Sequence, residues 1–255
     1  MLTTLGVYEH IKFSAAFHLY EHLFKPSTKR EFEKEARFYT SFLQPNALIF
    51  DIGANDGHKT AVFVQIADKV ICCEPDIKNY RTLSVRFRNN KKVIIENVAV
   101  GNCEGLRKMY QHHAGSAFNT LNHKFKTIAE ADELNKWSEK IRYIDELKVT
   151  TTTLDQLIKK YGKPFFIKVD VEGFELEVLK GLSTPIPYMT LECLLPEFKQ
   201  ELTEIFDLIY RLSAKAQFNI AIHEQLIFTS FCFLDEIKKK IDRLNEPHFE
   251  LVIKM

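Results

Sequence analysis

The sequence has almost no net charge and no long apolar run. Its 255 residues include 35 lysines and arginines against 34 aspartates and glutamates, which gives a formal net charge of +1 at pH 7. Proteins that bind nucleic acids or anionic membranes usually carry a basic surplus or stripe, so we expect no nucleic acid partner. No uninterrupted apolar stretch approaches the roughly 18 residues that a spanning helix needs, so we expect no membrane span.

Cysteine is scarce, and its spacing follows no pattern. The five cysteines include no C-x-x-C pair, which argues against a disulfide framework and against a structural zinc site. The first residues, MLTTLGVYEHIKFSAAF, lack the basic start, the long apolar middle and the cleavage site of a secretory signal. We therefore expect a protein of the reducing cytoplasm.

Short apolar runs alternate with helical segments through most of the chain. The runs are, in order, ALIFDIG, KVICCEPD, KVIIENVAV, PFFIKVD and YMTLECLL. Strands that alternate with helices predict an α/β fold with a mainly parallel, doubly wound sheet. We predict a helical N-terminal extension over residues 1–45 and a single domain over residues 46–255, which carries an insertion at about 102–148. A helix is expected within that insertion, near residues 127–141.

The first predicted strand ends in a glycine turn, DIGANDG, at residues 51–57. Gly53 and Gly57 allow the backbone to turn tightly and to approach a ligand closely. The helix that follows presents N–H groups and the positive end of its dipole to an anion. The spacing is G-x-x-x-G and not the G-x-G-x-x-G of a dinucleotide site. Asp51, at the start of the turn, suits a ligand that carries a cation.

A second acid, Glu74, ends the next predicted strand. Carboxylates in that place, about twenty residues after the turn, typically accept hydrogen bonds from ribose hydroxyls. An acid for a cation, a helix end for an anion and an acid for a ribose together fit S-adenosylmethionine, which carries an ammonium, a carboxylate and a ribose. The alternative is a glycine turn without a ligand, followed by an exposed strand end.

A third segment, PFFIKVDVEGFELEVLKG at residues 164–181, is typical of a strand that leads into a helix. Lys168, Asp170 and Glu172 nevertheless occupy every second position of it, and unpaired buried charges would cost several kcal/mol each. If this strand lies beside the first one, the acids emerge at the carboxyl edge of the sheet, where doubly wound folds bind ligands. The alternative is structural, with a lysine pair and a helix cap. Gly181 is expected to end the helix with a positive φ.

Five stretches of the chain resemble the FkbM-type methyltransferases, a family that uses S-adenosylmethionine and has the class I methyltransferase fold. Over about residues 47–195 they are DIGANDG, CCEPD, NVAVG, TLDQLI and, most specifically, IKVDVEGFELEVLKG. The resemblance implies a Rossmann-like sheet of seven strands in the order 3-2-1-4-5-7-6. It also implies methyl transfer, usually to a hydroxyl group of a sugar, a glycan or a secondary metabolite.

The resemblance further implies which residues bind the cofactor. It places Asp51, Gly53, Asn55 and Gly57 around the methionine part of S-adenosylmethionine, and Glu74 at the ribose. Three more residues are expected near the adenine: Asn97, Ala99 and Val100.

A hydroxyl acceptor must lose its proton to a group within hydrogen-bond reach. The candidates are Asp170 first, then Glu172, and then His113 from the polar stretch HHAGSAFNT of the insertion. The alternative for His113 is an exposed loop histidine. Asp170, Glu172 and Glu192 could supply oxygen ligands to a divalent cation, but no residue spacing specifies such a site, so no metal ligand is assigned.

Three other functions are open at this point. An N-methyltransferase would use the same cofactor, since nothing in the sequence fixes the acceptor atom. A non-catalytic protein could retain the fold as a binding or assembly module. A nicotinamide oxidoreductase is disfavoured by the glycine spacing.

Overall fold

The structure is a computed structural model that describes residues 26–131 and 140–255. Its helices are α1 (Pro26–Thr40), α2 (His58–Phe63), α3 (Ile77–Arg86), α4 (His123–Glu130), α5 (Leu154–Tyr161), α6 (Glu175–Lys180), α7 (Lys199–Leu212) and α8 (Leu234–Ile241). Its strands are β1 (Leu48–Ile52), β2 (Lys69–Cys73), β3 (Val93–Glu96), β4 (Ala99–Val100), β5 (Gly105–Gln111), β6 (Asp145–Thr152), β7 (Phe166–Val169), β8 (Tyr188–Leu194), β9 (Gln217–Ile222), β10 (Gln225–Leu226) and β11 (His248–Lys254). Within these residues, no helix is long and apolar enough to cross a membrane.

The central sheet has eight strands in the order β10-β9-β11-β8-β7-β1-β2-β3. Neighbours are parallel from β8 to β3, whereas β11 is antiparallel to both β8 and β9. The prediction of an α/β fold with a mainly parallel sheet is confirmed, and without β10 the strand order is the one that the resemblance implies. The expected count of seven is one short, because β10 has two residues and pairs only with β9.

The predicted insertion contributes to a second sheet of three strands, in the order β4-β6-β5. Strand β5 is antiparallel to β6, and β4 is parallel to it. The helix expected near residues 127–141 is α4. It begins earlier, at His123, because the side chain of Asn122 caps its N-terminus, and it ends at Glu130. Residues 132–139 of that prediction lie outside the described residues.

Helix α1 lies within the predicted N-terminal extension, of which residues 1–25 are outside the described part. It packs on one face of the central sheet through an aromatic cluster centred on Tyr39. The Tyr39 ring is fully buried, with its centroid 4.8 Å from that of Phe63 and 5.8 Å from that of Phe166. Helix α1 is therefore part of the hydrophobic core.

Strand β1 lies between β2 and β7, so the strand order reverses there and the carboxyl ends of these strands form a crevice. Gly53 follows β1 with φ at 82°, and a Cβ on it would lie 1.8 Å from the backbone oxygen of Asp170. Gly57, at the N-cap of α2, has φ at 81°. Only glycine fits such conformations without strain, so the turn forms as the sequence predicts.

Gly181 differs from the expectation, because its φ is −89° and not positive. Glycine is required there for a different reason. A Cβ on Gly181 would lie 2.3 Å from the backbone oxygen of Gly101, so the end of α6 packs directly on the chain that follows β4.

Candidate functional site

A cavity of about 170 Å³ opens at the carboxyl ends of β1, β2 and β7, and we call it the strand-end cavity. Five of the eight residues predicted to bind a cofactor line it: Gly53, Asn55, Glu74, Ala99 and Val100. Two of the three predicted catalytic residues, Asp170 and Glu172, line it as well. The topology thus brings to one place residues that lie as far apart in sequence as Gly53 and Glu172.

Glu74 is held at the wall of this cavity by two backbone groups. Its Oε2 accepts a hydrogen bond from the N–H of Asn55 at 2.9 Å, and its Oε1 accepts one from the N–H of Asp76 at 2.8 Å. The side chain is 6% exposed, and burial raises its pKa to about 7 despite these two hydrogen bonds. Each carboxylate oxygen keeps a lone pair that can accept a hydrogen bond from a hydroxyl group in the cavity.

Asp51 and Gly57 do not line the strand-end cavity. Asp51 is 1% exposed, and its Oδ2 accepts a hydrogen bond from the Thr60 hydroxyl at 2.6 Å. Burial raises the pKa of Asp51, and the charge of Lys168 opposes that rise. The direct contact with a cofactor that the sequence predicts for Asp51 and Gly57 therefore stays a prediction.

The residues predicted near an adenine divide in the same way. Ala99 and Val100 are buried and line the cavity, beside Met109 and Leu121. Asn97 is exposed, and its amide donates hydrogen bonds to the backbone oxygens of Glu74 at 2.8 Å and Pro75 at 3.1 Å. Asn97 therefore braces the chain after β2 and does not line the cavity.

Asp76 fastens the insertion to the strand-end cavity. It is 1% exposed, and its Oδ1 caps α3 by accepting hydrogen bonds from two backbone N–H groups. Its Oδ2 accepts three more, from the side chains of Gln111 at 3.0 Å and Asn119 at 2.9 Å and from the N–H of Gly115 at 3.0 Å. The loop that follows β5 is thereby held over the cavity, so that Ser116, Ala117 and Asn119 line it.

His113 lies on the same loop but lines neither this cavity nor the one described next. It is exposed, and its Nδ1 lies 3.2 Å from the backbone oxygen of Ala114. The structure therefore does not bring His113 together with Asp170 and Glu172, because the loop presents its other end to the cavity.

Three carboxylates meet at the edge of the sheet, on Asp170, Glu172 and Glu192. One oxygen of each lies within 4.8 Å of the others, a spacing that could hold a metal ion. Lys168, only 3% exposed, forms an ion pair with Asp170. Burial would raise the pKa of Asp170, but the charge of Lys168 outweighs it and lowers that pKa. The predicted lysine pair is therefore present.

The other two carboxylates are in a different electrostatic state. Burial raises the pKa of Glu172 well above its usual value, and the charges of Glu192 and Asp170 raise it further. Burial and the charge of Asp170 also raise the pKa of Glu192, which pairs with His248 at 2.6 Å. The cluster therefore combines one carboxylate that stays ionised with two that protonate more readily.

The backbone at Glu172 is strained, with φ at 54°, and Gly173 follows with φ at 84°. Two residues of the insertion hold this turn in place. The Thr120 hydroxyl donates to the backbone oxygen of Glu172 at 2.8 Å, and the Asn122 amide donates to the backbone oxygen of Gly173. Such strain persists where the surroundings hold it, and it concentrates at functional sites.

A second cavity of about 300 Å³ lies on the far side of Glu172 and Glu192, which line both cavities. We call it the aromatic cavity, after Phe118, Phe125 and Phe198 in its wall. No local pattern in the sequence predicts this cavity, because its rings come from the loop after β5, from α4 and from the start of α7. His248 has no local signal in the sequence either, because its partner Glu192 lies 56 residues away.

The chain matches one family model and is similar in fold to several solved structures. The family model described as the methyltransferase FkbM domain matches residues 51–219. No curated protein matches the sequence.

The solved structures with a similar fold are remote in sequence. Precorrin-8w decarboxylase from Methanobacterium thermoautotrophicum shares 10% identity at a TM-score of 0.44, over 88% of this chain and 89% of that one. Precorrin-6y C5,15-methyltransferase from Geobacter metallireducens GS-15 shares 8% identity at a TM-score of 0.43, over 87% and 86%. A Streptococcus mutans protein in complex with SAH shares 15% identity at a TM-score of 0.37, over 88% and 97%. Identities this low carry no information about a substrate.

Proposed function

The chain belongs to the FkbM methyltransferase domain family, and from this premise we propose that it methylates a hydroxyl group of a small-molecule acceptor. Membership of the family implies S-adenosylmethionine as the cofactor. The acceptor is a sugar, a glycan or a secondary metabolite.

One observation carries the proposal: the strand-end cavity and the aromatic cavity meet at Glu172 and Glu192. At this junction, a methyl donor bound in the strand-end cavity can face an acceptor bound in the aromatic cavity. Both carboxylates stand at that junction, where an acceptor hydroxyl has to be oriented and deprotonated.

The strand-end cavity suits the cofactor by its donor set. We assign Glu74 to the ribose hydroxyls, because its carboxylate is aimed into the cavity by two backbone amides. Gly53 and Asn55 flank the methionine part. The apolar residues at the other end enclose the adenine: Ala99, Val100, Met109 and Leu121.

S-adenosylmethionine supplies an activated methyl group on a sulfonium, so the protein mainly has to align the acceptor oxygen with it. We assign the proton transfer to Glu172. A general base works best when its pKa is near the working pH, and the pKa of Glu172 is raised whereas that of Asp170 is lowered. Asp170, kept ionised by Lys168, would supply a fixed negative charge to the cationic part of the cofactor.

Thermal unfolding with and without S-adenosylhomocysteine tests the cofactor assignment. A ligand at about 100 times its Kd adds roughly 2.7 kcal/mol to the free energy of unfolding, which is about 5–10 °C for a domain of this size. Glu74→Gln should lose most of that shift, and its melting temperature without ligand should fall by a few degrees, because the amide keeps only one of the two acceptor oxygens. Glu104→Gln, an exposed acid of the insertion, is the matched control.

The two steps of the proposal fail in distinguishable ways. A folded parent protein, free of co-purified ligand, that shows no shift would contradict the cofactor assignment. A normal shift with no methylated product from any hydroxyl or amine acceptor would leave the non-catalytic binding module as the function.

A further inference from the structure

We infer that the aromatic cavity binds the acceptor, and that this acceptor is a hydroxyl compound with an uncharged, apolar body. Acceptors that carry a carboxylate or a phosphate are excluded. The inference rests on the proposed function, and it selects an apolar metabolite over a sugar, a glycan or a sugar phosphate.

The wall of the cavity is mainly apolar. Phe118, Phe125 and Phe198 form it together with Leu176, Cys193, Leu194, Leu195, Leu202 and Ile205. The Phe125 and Phe198 rings lie 6.4 Å apart, centroid to centroid, and tilted at 42°. Such a wall gains free energy from burying rings or aliphatic groups, and it offers few partners to the many hydroxyl groups of a sugar.

The polar groups of the cavity are acids. They are Glu172, Glu175, Glu192 and Glu201, with His248 as the one nitrogen base among the described lining residues. His248 is paired with Glu192 at 2.6 Å, and Glu201 is paired with Lys124 at 2.7 Å. An anionic acceptor would therefore be buried without a cationic partner, because His248 and Lys124 are already paired, and any lining acid that is ionised would repel it.

A hydroxyl group fits the same wall. An ionised carboxylate only accepts hydrogen bonds, so it orients an O–H donor and then takes its proton. The Glu172 carboxylate faces both cavities. The strained turn fixed by Thr120 and Asn122 sets its direction. An acceptor with its apolar body among the rings therefore presents its hydroxyl to Glu172.

Binding to the protein saturated with S-adenosylhomocysteine tests the inference, with one series of compounds. The series is naphthylmethanol, its ring-carboxylated analogue, naphthylmethylamine, glucose and glucose phosphate. We expect naphthylmethanol to bind, by thermal shift and by ligand line broadening in NMR, and to bind at least about tenfold more tightly than the carboxylated analogue, since a like charge beside the wall costs on the order of 1.4 kcal/mol or more.

Variants at Phe118 and Glu192, with a control at Phe233, tie the preference to named residues. Phe118→Ala should weaken naphthylmethanol binding by about tenfold, Phe118→Leu should restore most of it, and Phe233→Ala, an exposed ring outside both cavities, should change nothing. Glu192→Gln should reduce the difference in affinity between naphthylmethanol and its carboxylated analogue. The Phe118 and Phe233 variants should keep the thermal shift with S-adenosylhomocysteine, because neither residue lines the strand-end cavity.

The outcomes separate this inference from the function beneath it. Loss of the S-adenosylhomocysteine shift in the parent would remove the proposed function itself. With that shift intact, four results would each overturn the acceptor class: no binding of naphthylmethanol, equal or tighter binding of the carboxylated analogue, preference for glucose or glucose phosphate, or tighter binding and methylation of the amine.

Discussion

The strand-end cavity and the aromatic cavity share two carboxylates but are built in opposite ways. In the first, the acid Glu74 directly follows a strand and is held by backbone amides. In the second, the rings of Phe118, Phe125 and Phe198 come from three separate elements, and two of the acids, Glu192 and Glu201, are held by side chains from elsewhere in the chain. An acid that backbone amides fix in place, as they fix Glu74, suits a ligand that stays the same, as a cofactor does. A cavity assembled from distant elements can change its ligand while the first stays intact.

The largest effect is expected for Lys168, the buried cation beside the carboxylates at the junction of the two cavities. Lys168 faces Asp170, Glu250 and Asp51; although burial opposes it, these charges raise the pKa of Lys168. Lys168→Met leaves buried carboxylates without their cation, so the free energy of unfolding should fall by about 3–5 kcal/mol at pH 8. Urea unfolding measures this, with exposed Lys215→Met as the control.

The loss in Lys168→Met should shrink as the pH falls. Without the lysine, the folded state takes up protons on these acids at a higher pH than the unfolded state does, so acidification stabilises the variant relative to the parent. A loss of unfolding free energy that is the same at pH 5 and pH 8, or one below about 1 kcal/mol, would show that Lys168 does not stabilise these buried carboxylates.

The next effect separates chemistry from binding at the junction of the two cavities. Glu172→Gln keeps the size of the side chain but removes the base, so kcat should fall by about 10²–10⁴-fold. The Kd for S-adenosylhomocysteine should change by less than about threefold, because the variant removes a group needed mainly in the transition state. Single-turnover kinetics and calorimetry measure the two quantities, with exposed Glu204→Gln as the control.

A kcat for Glu172→Gln close to that of the parent would contradict the assignment of the base. Asp170→Asn would then be the variant to compare, because Asp170 stands first among the bases that the sequence predicts.

The same contrast explains what the sequence can predict. The sheet and the glycine turn follow from local patterns, since β1, β2 and β7 are short apolar runs and Gly53 marks a turn that only glycine can make. The family assignment is confirmed by the match over residues 51–219. Strand β5 lacks this signal, because its first four residues are exposed or half-buried and include the charged Arg107 and Lys108.

The roles of individual motif residues depend on which groups they contact in the folded chain, and the sequence does not predict these contacts. Asn97 lies in a matching motif, yet its amide braces the backbone after Glu74. Asp76 lies in another, and only the folded chain brings Gln111, Gly115 and Asn119 to its second oxygen. A one-dimensional pattern contains no information on such partners, because they lie tens of residues away.

A pair of variants should affect the two cavities separately. Asp76→Ala removes a helix cap and three hydrogen bonds to the insertion, so we expect a loss of about 2–4 kcal/mol in the free energy of unfolding. Asn122→Ala removes the cap of α4 and the contact with Gly173, for a loss of about 1–2 kcal/mol.

Binding should divide along the same line. Asp76→Ala should weaken S-adenosylhomocysteine, because Ser116, Ala117 and Asn119 lose their place in the strand-end cavity. Asn122→Ala should spare that ligand and reduce kcat, since it releases the turn that carries Glu172. Calorimetry and turnover rates measure both. Equal losses of cofactor affinity in the two variants would show that the cavities are one cooperative unit.

The last effect is a change in the pH dependence of stability, and it concerns an acid that lines only the aromatic cavity. Glu175 is the first residue of α6, and its Oε1 accepts hydrogen bonds from the N–H groups of Val171 at 3.1 Å and Gly173 at 3.3 Å. Burial raises its pKa to about 8. An acid with a raised pKa in the folded state holds a proton that the unfolded state has released, so stability falls as the pH rises from about 4.5 to about 8.

Glu175→Gln keeps an oxygen for these two N–H groups and removes the titration. The variant should match the parent near pH 5 and exceed its free energy of unfolding by on the order of 1–3 kcal/mol at pH 8. Glu177→Gln, two residues along the same helix, is the matched control. Part of the fall remains in Glu175→Gln, since Glu74 in the strand-end cavity titrates in the same direction with a pKa of about 7. Urea unfolding at five pH values between 5 and 9 follows each variant, and a parent whose stability rises over that range would mean that these acids are solvated and that the aromatic cavity is open to water.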